Sequence, residues 1–176
     1  PAIEYPPDYF TPYIYTGDDS GTSRVFTGVG FAPNLVWTKA RSSAFAHSFF
    51  DTVRGTGKYI ASSYVGAEVT NPGSGYITAF GSDGYTFSDG TSGAPRNNYN
   101  ADSTYVSWNW VEGATPGFDI VSYTGNATAR TIAHNLGVVP EMMIVKNRAD
   151  TDNWAVYHAS NTAAPATDSL VLNANS

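Results

Sequence analysis

The sequence contains no cysteine and few of the residues that favour helices. Without cysteine among its 176 residues, the chain has no disulfide framework, no thiolate metal ligand and no cysteine nucleophile. Leucine occurs four times, methionine twice, glutamate four times and lysine three times, whereas threonine, serine, asparagine, glycine, valine, tyrosine and phenylalanine dominate. This composition is typical of a β-protein.

Basic charge and long apolar runs are also missing. The chain has 15 acidic and 9 basic residues and a formal net charge of -6, whereas a nucleic-acid-binding protein needs a basic surface for the phosphates. No apolar run approaches the roughly 18 residues of a membrane span. We therefore expect no nucleic-acid partner and no insertion into a membrane.

Short runs rich in β-branched and aromatic residues alternate with glycine, proline, asparagine and aspartate, which is the pattern of strands separated by turns. The predicted strands are Tyr13–Thr16, Arg24–Thr27, Asn34–Lys39, Ala46–Phe50, Lys58–Ser63, Tyr76–Phe80, Tyr85–Phe87, Thr104–Val111, Phe118–Tyr123, Arg130–Ala133, Met142–Asn147, Trp154–His158 and Ser169–Leu172. Asp83-Gly84 is a favoured hairpin turn. The predicted fold class is all-β, an antiparallel β-sandwich of jelly-roll-like type in a repeated module.

The strand Thr104–Val111 also predicts which side chains face the core. Side chains alternate along a strand, so Tyr105, Ser107 and Asn109 share one face, and Trp108 and Trp110 share the other. The more apolar tryptophan face is the predicted core face.

An internal repeat is the most informative pattern in the chain. Val29–Arg41 aligns without a gap with Leu136–Arg148, about 107 residues later, through the shared pattern apolar-Gly-apolar-x-Pro-polar-apolar-apolar-apolar-x-Lys-x-Arg. In both copies a Tyr-Thr-Gly motif and then an arginine precede this stretch, at Tyr15–Gly17 with Arg24 and at Tyr123–Gly125 with Arg130. Two copies of one module are therefore predicted.

The repeat sets the expected domains. Residues 9–113 form a complete sandwich repeat, and residues 114–176 form a partial one that lacks counterparts of Tyr76–Phe80, Tyr85–Phe87 and Thr104–Val111. We expect this partial copy to be truncated, or to be completed by further chain or by another subunit, because half a sandwich exposes unpaired edges. Residues 1–8, with three prolines, are predicted to be an extended arm.

The repeated motifs resemble an uncharacterised repeat family of bacteriophage virion proteins, seen especially in cyanophages and marine phages. The residues that carry the resemblance are Arg130–Arg148, Asn153–His158, Leu35–Arg41, Phe50–Gly55, Phe80–Phe87 and Tyr105–Trp110. The resemblance implies a β-rich structural or adhesion module of a tail fibre, head fibre or capsid surface, with no assigned enzyme chemistry.

We therefore expect a non-enzymatic virion protein on the external surface of a phage particle, in a tail fibre or adhesin that attaches to the host. Its expected partners are further copies of itself, with a trimer favoured, other virion proteins, and a glycan of the host surface as a further candidate. Capsid decoration or a head fibre is the first alternative, and a lectin-like carbohydrate-binding module is the second.

Searches for catalytic and metal-binding motifs give no candidate site. His47, His134 and His158 form none of the usual metal-ligand spacings, and His134 and His158 are expected to be solvated or bonded within turns. The loops Asp18–Ser20 and Asp150–Asn153 offer oxygen ligands for Ca²⁺ but lack the spacing of a known calcium loop. No cofactor or metal is predicted, and no pair of carboxylates stands out as a glycosidase pair.

Aromatic residues are the remaining candidates for recognition. In a leucine-poor β-protein most of them are expected to build the core, but Tyr99 lies in a polar loop between asparagines. Loops carry much of protein recognition. We therefore predict a surface recognition tip that comprises Arg96, Asn97, Asn98 and Tyr99.

Overall fold

A computed structural model describes residues 5–18, 21–91, 97–98, 101–168 and 170–174. These residues contain one 3-10 turn, Pro6–Asp8, and no α-helix, and no helix among them could cross a membrane. The strands are β1 Phe10–Thr16, β2 Ser23–Thr27, β3 Leu35–Ala40, β4 Ser48–Asp51, β5 Lys58–Ala61, β6 Val69–Thr70, β7 Tyr76–Gly81, β8 Gly84–Ser88, β9 Thr104–Trp110, β10 Met142–Val145, β11 Ala155–His158 and β12 Leu170–Val171. The predicted all-β class is confirmed.

The described strands form three sheets in which every strand pair is antiparallel. The largest has six strands in the order β1-β9-β3-β4-β5-β6, a second has the order β2-β8-β7, and a third has the order β10-β11-β12. The first two sheets enclose one hydrophobic core, to which the six-stranded sheet contributes Val36, Phe50 and Tyr105, and the three-stranded sheet contributes Ile77 and Phe87.

Aromatic rings fill much of this core, as the scarcity of leucine predicts. The Tyr15 and Tyr105 rings stack with their centroids 5.1 Å apart, and Phe26 of the opposite sheet meets Tyr15 edge-on at 4.6 Å. A buried tyrosine hydroxyl needs a hydrogen-bond partner. Tyr15 Oη donates to the Asn97 carbonyl at 2.8 Å.

The inward face of β9 is the opposite of the predicted one. Tyr105, Ser107 and Asn109 point into the core and are fully buried, whereas Trp108 and Trp110 lie half-buried on the outer face. Asn109 Nδ2 donates to a β1 carbonyl at 3.0 Å and to the Ser107 hydroxyl at 3.1 Å. The prediction was wrong because β9 is covered on both faces, so relative hydrophobicity could not decide which face is inside.

The predicted hairpin at Asp83-Gly84 joins β7 and β8. The Asp83 carboxylate accepts hydrogen bonds from the backbone N–H groups of Gly28 and Gly30, at 2.9 and 2.7 Å, which lower its pKa. Gly84 has φ +149°, and a Cβ there would lie 2.1 Å from the Phe26 carbonyl oxygen. Only glycine fits this close approach.

The N-terminal segment differs from the extended arm that was predicted. Residues 1–4 lie outside the described residues, and Pro6–Asp8 form a 3-10 turn, because the fixed φ of proline suits the first positions of a helical turn. Strand β1 begins at Phe10 and includes Pro12. This proline is tolerated because β1 pairs only with β9 and is an edge strand.

Two predicted strands, Phe118–Tyr123 and Arg130–Ala133, are absent. These segments are irregular apart from one isolated bridge, between Gly113 and Phe118. Their sequence counterparts in the first copy, β1 and β2, pair with β9 and β8. The described part of residues 114–176 contains no counterpart of β8 or β9 with which these two segments could pair.

The sheet β10-β11-β12 has the pairing order and register of β3-β4-β5. Each residue of β10 and of its β11 partner lies 107 positions after its counterpart in β3 or β4. The pairs Leu35↔Asp51, Val36↔Phe50, Trp37↔Phe49 and Thr38↔Ser48 correspond to Met142↔His158, Met143↔Tyr157, Ile144↔Val156 and Val145↔Ala155. The two sheets thus form the same local strand arrangement.

The loops after β3 and β10 also correspond. Lys39 Nζ donates to the carbonyls of the next residue and of the fourth residue on, at 2.5 and 3.0 Å. Lys146 Nζ makes the same two contacts at the same distances. Gly30 and Gly137 both have positive φ, at +94° and +71°.

Candidate functional site

The predicted recognition tip is in part an interior feature. Arg96 and Tyr99 lie outside the described residues. The side chains of Asn97 and Asn98 are both fully buried, so neither is available to a ligand on the surface. Their placement at an exposed tip was wrong.

Asn97 connects strands of the six-stranded sheet. Its side-chain oxygen accepts a hydrogen bond from Thr38 Oγ1 at 2.5 Å, and its Nδ2 donates to Ser48 Oγ at 3.3 Å. With the bond from Tyr15 to its carbonyl, this residue links β1, β3 and β4. An amide is suited to this position because it both donates and accepts hydrogen bonds. It therefore satisfies the buried hydroxyls of Thr38 and Ser48, which would otherwise destabilise the fold.

Asn98 occupies a second buried polar position. Its Nδ2 donates to the carboxylates of Asp18 and Asp89, at 2.7 and 2.9 Å, and its Oδ1 accepts from Arg24 at 3.0 Å. Arg24 also lies over the Phe26 ring, 4.7 Å from its centroid. This network could not be predicted from the sequence, because Asp18 and Arg24 are more than 70 positions away from Asn98.

The two candidate calcium loops use their oxygens in hydrogen bonds within the protein. Asp18 accepts from Asn98, and Asp19 and Ser20 lie outside the described residues. In the other loop, Asp152 accepts from Asn147 Nδ2 at 2.6 Å, and Asp150 accepts from the next backbone N–H at 2.7 Å. Among the described residues, no group of three or more histidine and acidic side chains is arranged to hold a metal ion.

The three histidines all accept hydrogen bonds through Nδ1. In His134 and His158 the donor is a backbone N–H two residues later, at 3.3 and 3.1 Å, which agrees with the turn bonding that was predicted. In His47 the donor is Trp37 Nε1 at 3.2 Å. Burial, followed by the charge of Lys39, lowers the pKa of His47.

The structure brings together one carboxyl pair that the sequence did not single out. Burial and a hydrogen bond with Asp119 raise the pKa of Glu112. Burial alone would raise the pKa of Asp119, but hydrogen bonds from Glu112 and Asn135 outweigh it and lower that pKa. The two carboxyl groups therefore shift each other's pKa in opposite directions.

Aromatic rings form a row across the outer face of the six-stranded sheet. Trp37 lies at its centre, with ring centroids 5.4 Å from Trp108, 6.3 Å from Trp110 and 4.7 Å from Phe49. Phe10 extends the row beyond Trp110 at 4.9 Å. This row is the surface on which part of the second copy packs.

Trp154 anchors the third sheet to that outer face. It is buried, its ring lies 5.3 Å from Phe49, and its Nε1 donates to the Ala61 carbonyl at 2.8 Å. Phe49, Ile60 and Trp154 form a second hydrophobic cluster, separate from the core between the sheets. The two copies are therefore joined by an apolar contact.

A salt-bridge cluster makes the second connection between the copies. Arg148 donates to both oxygens of Glu68, at 2.8 and 2.9 Å, and its carbonyl accepts from the Glu68 backbone N–H at 2.9 Å. Burial tends to raise the pKa of Glu68, but Arg148 and Arg54 outweigh it and lower that pKa. A bidentate arginine–carboxylate pair is more directional than a pair with lysine.

The inner face of the third sheet is open, in contrast to that of its counterpart. In β3, Val36 is 0% exposed and Thr38 is 1% exposed, whereas their counterparts in β10, Met143 and Val145, are 43% and 44% exposed. These two residues, with Tyr157 and the segment 165–168, line a shallow groove of about 190 Å³. Apolar exposure of this kind marks a contact surface.

The outer edge of β10 is open as well. Strand β3 lies between β9 and β4, whereas β10 pairs, among the described strands, with β11 alone. The open inner face and the open edge together, which we call the open half-module, are the candidate functional site. The internal repeat predicted that residues 114–176 form an incomplete module. The sequence alone could not show which surfaces of that module are uncovered.

Comparison with known proteins identifies a family. No curated protein and no solved structure is similar to the chain. A family model described as a domain of unknown function, DUF7483, matches residues 5–176. Because this match covers nearly the whole chain, the protein belongs to the DUF7483 family.

Proposed function

We propose that the protein is a structural, non-enzymatic component of a bacteriophage particle, and that it acts in a tail fibre or adhesin on the external surface. The phage assignment is supported by the resemblance of the repeated motifs. The assembly role is supported by the open half-module, in which the β10-β11-β12 sheet has the register of β3-β4-β5 but lacks a covering sheet.

The module itself is a jelly-roll-like sandwich, present once in full and once in part. Matched pairing registers and matched lysine contacts support this repeat. Exposure of apolar side chains to water is unfavourable, and burial against another surface would stabilise them. A subunit that is completed on assembly accounts for this exposure. We also expect the subunit to form homo-oligomers, with a trimer favoured.

Location on the particle tests the proposal. Antibodies against the purified chain, imaged by electron microscopy on phage that carry the gene, should label fibres, and light scattering should give the mass of a trimer. Labelling of the shell at fixed stoichiometry would support capsid decoration or a head fibre instead. Absence of label from every part of the particle would contradict a virion role.

A second candidate function, carbohydrate binding, is favoured by the aromatic row on the outer face. Sugar rings stack on exposed aromatic side chains, and Phe10 at the end of the row is exposed. A glycan array should show binding that Phe10→Ala weakens, and a parallel array with chelator tests for a cation. An array without binding would exclude this candidate for the glycans printed on it.

A further inference from the structure

We propose that the open edge of β10 binds an antiparallel β-strand of the β9 pattern, supplied by a polypeptide segment outside residues 1–176. This inference rests on the proposed assembly function and specifies the partner that completes the open half-module. The pattern means an extended segment with an aromatic residue opposite Ile144 and a small or apolar residue opposite Val145, as Trp108 and Ser107 lie opposite the corresponding residues of β3.

Hydrogen bonding shows which backbone groups of β10 are available. In an antiparallel pair, residues that bond to one neighbour alternate with residues that bond to the other. The Ala159 N–H donates to the Glu141 carbonyl at 2.8 Å, so Glu141, Met143 and Val145 face β11. Met142 and Ile144 therefore present their N–H and C=O groups to the open edge.

The counterpart strand uses the same positions to bind β9. The Arg41 N–H donates to the Thr104 carbonyl at 2.7 Å, so alternate residues of β3, including Leu35 and Trp37, face β9. Leu35 and Trp37 correspond to Met142 and Ile144. The backbone groups that hold β9 in the first copy are thus the ones that are unpaired in the second.

Side-chain register gives the chemistry of the partner strand. In the first copy Trp108 lies opposite Trp37 on the outer face, and Ser107 lies opposite Thr38 on the inner face. The β10 residues at these positions are Ile144 and Val145. A partner that follows the same register places an aromatic ring on Ile144 and a small or apolar side chain on Val145.

Both edges of the six-stranded sheet carry features that discourage pairing, and β10 does not. Strand β1 contains Pro12, and β6 has only two residues, which are two of the ways in which proteins protect sheet edges. Strand β10 is four consecutive apolar residues, Met142–Val145. An exposed, unprotected apolar edge is suited to strand addition.

An intact second copy of the described chain is a poor donor of this strand. Its own β9 lies between β1 and β3 in the six-stranded sheet, so donating it would break two ladders and open the core at Tyr105. Its free β1 edge is interrupted by Pro12. The partner strand is therefore assigned to a segment outside residues 1–176, either in a continuation of the chain or in a different protein.

A synthetic peptide with the sequence of residues 104–112 tests the proposal on the full chain. Within β9, Val106 and Trp108 bond towards β3, whereas Ser107 and Asn109 bond towards β1, as the Gly17 N–H to Ser103 carbonyl bond of 2.8 Å indicates. One peptide is N-methylated at the Val106 and Trp108 amides, and a matched control is N-methylated at the Ser107 and Asn109 amides. Calorimetry gives the affinities, and amide exchange locates the bound peptide.

We expect the unmodified and control peptides to bind and to slow exchange at Met142, Ile144 and Lys146. Methylation at Val106 and Trp108 should weaken binding by roughly tenfold or more, because it removes two hydrogen bonds. No binding, or equal binding of the two methylated peptides, would overturn the proposal. Self-association of the chain through β10 without peptide would also overturn it, in favour of a second copy. None of these results alters where the antibody label lies on the particle, so the proposed function is tested separately.

Discussion

Strands β3-β4-β5 and β10-β11-β12 have the same pairing but different surroundings. In the first set, β9 covers the edge of β3 and the sheet β2-β8-β7 covers its inner face, so Val36 is fully buried. In the second set, Met143 at the corresponding position is exposed. The comparison teaches that the two aligned stretches lie in sheets with the same local pairing, whereas burial of the inner face depends on a covering sheet that the described part of residues 114–176 does not contain.

The largest expected difference between the copies is at the inner face. Phe50→Ala removes a fully buried ring from the core and should lower the free energy of unfolding by about 3–5 kcal/mol. Tyr157→Ala, the matched change in β11, removes a half-buried ring and should cost about 1 kcal/mol or less. Urea denaturation measures both values, and equal costs would mean that the inner face of the second copy is covered.

Removing the anchor between the copies should have the next largest effect. Trp154→Ala deletes a buried ring and the hydrogen bond to Ala61, so we expect a loss of about 3 kcal/mol, confined to the third sheet. Amide exchange should become faster in β10–β12 and stay unchanged in β3. Trp154→Phe keeps an aromatic ring and should lose only about 1 kcal/mol. Faster exchange throughout the first copy would show that the two copies unfold as one unit.

The matched glycines before β3 and β10 should respond alike. Gly30 and Gly137 both have positive φ and open space around the missing Cβ, so alanine at either position meets backbone strain without a clash. Gly30→Ala and Gly137→Ala should each cost about 1–2 kcal/mol. Denaturation measures the loss of stability in Gly30→Ala, and amide exchange near β10 measures the local loss in Gly137→Ala. A neutral Gly137→Ala would show that the two loops differ in conformation.

The salt-bridge cluster should give the smallest effect and a pH dependence. The folded-state pKa of Glu68 lies below its ordinary value of 4.5, so its contribution is present above pH 4.5 and is lost as the pH falls through the folded-state pKa. Because the Arg148 side chain is partly exposed, Glu68→Gln should cost about 1 kcal/mol or less at neutral pH.

Acid titration of the docking contact measures this contribution. Fluorescence of Trp154 should change below pH 4.5 in the unmodified chain and should depend less on pH in Glu68→Gln. Asp152→Asn is a suitable control, because this exposed carboxylate bonds within the second copy, to Asn147. An identical titration of the unmodified chain and Glu68→Gln would exclude a role for Glu68 in docking.

Local patterns in the sequence predicted most of the strands. The β-rich composition, the Asp83-Gly84 turn and the aligned stretches Val29–Arg41 and Leu136–Arg148 depend on neighbouring residues, and each corresponds to an observed strand or turn. Segments 118–123 and 130–133 have strand composition too. They are not strands because pairing depends on a partner that is distant in sequence.

The buried polar positions could not be predicted for the same reason. Asn97 and Asn98 lie in a polar loop sequence, yet their hydrogen-bond partners come from β1–β4, from Asp18 and from Asp89 after β8. On the outer face of β9, Trp108 contacts Trp37 of β3, which is 71 positions earlier in the chain. Periodicity identifies the two faces of β9, but only the packing of whole sheets decides which one is inside.

Amide hydrogen exchange on the intact chain, without any added peptide, tests the central claim most directly. We predict that Met142 and Ile144 exchange orders of magnitude faster than Leu35 and Trp37, their counterparts in β3, while Met143 and Val145, which bond to β11, are better protected than Met142 and Ile144. Equal protection of Met142, Ile144, Leu35 and Trp37 would contradict the account, because the edge of β10 would then already be paired.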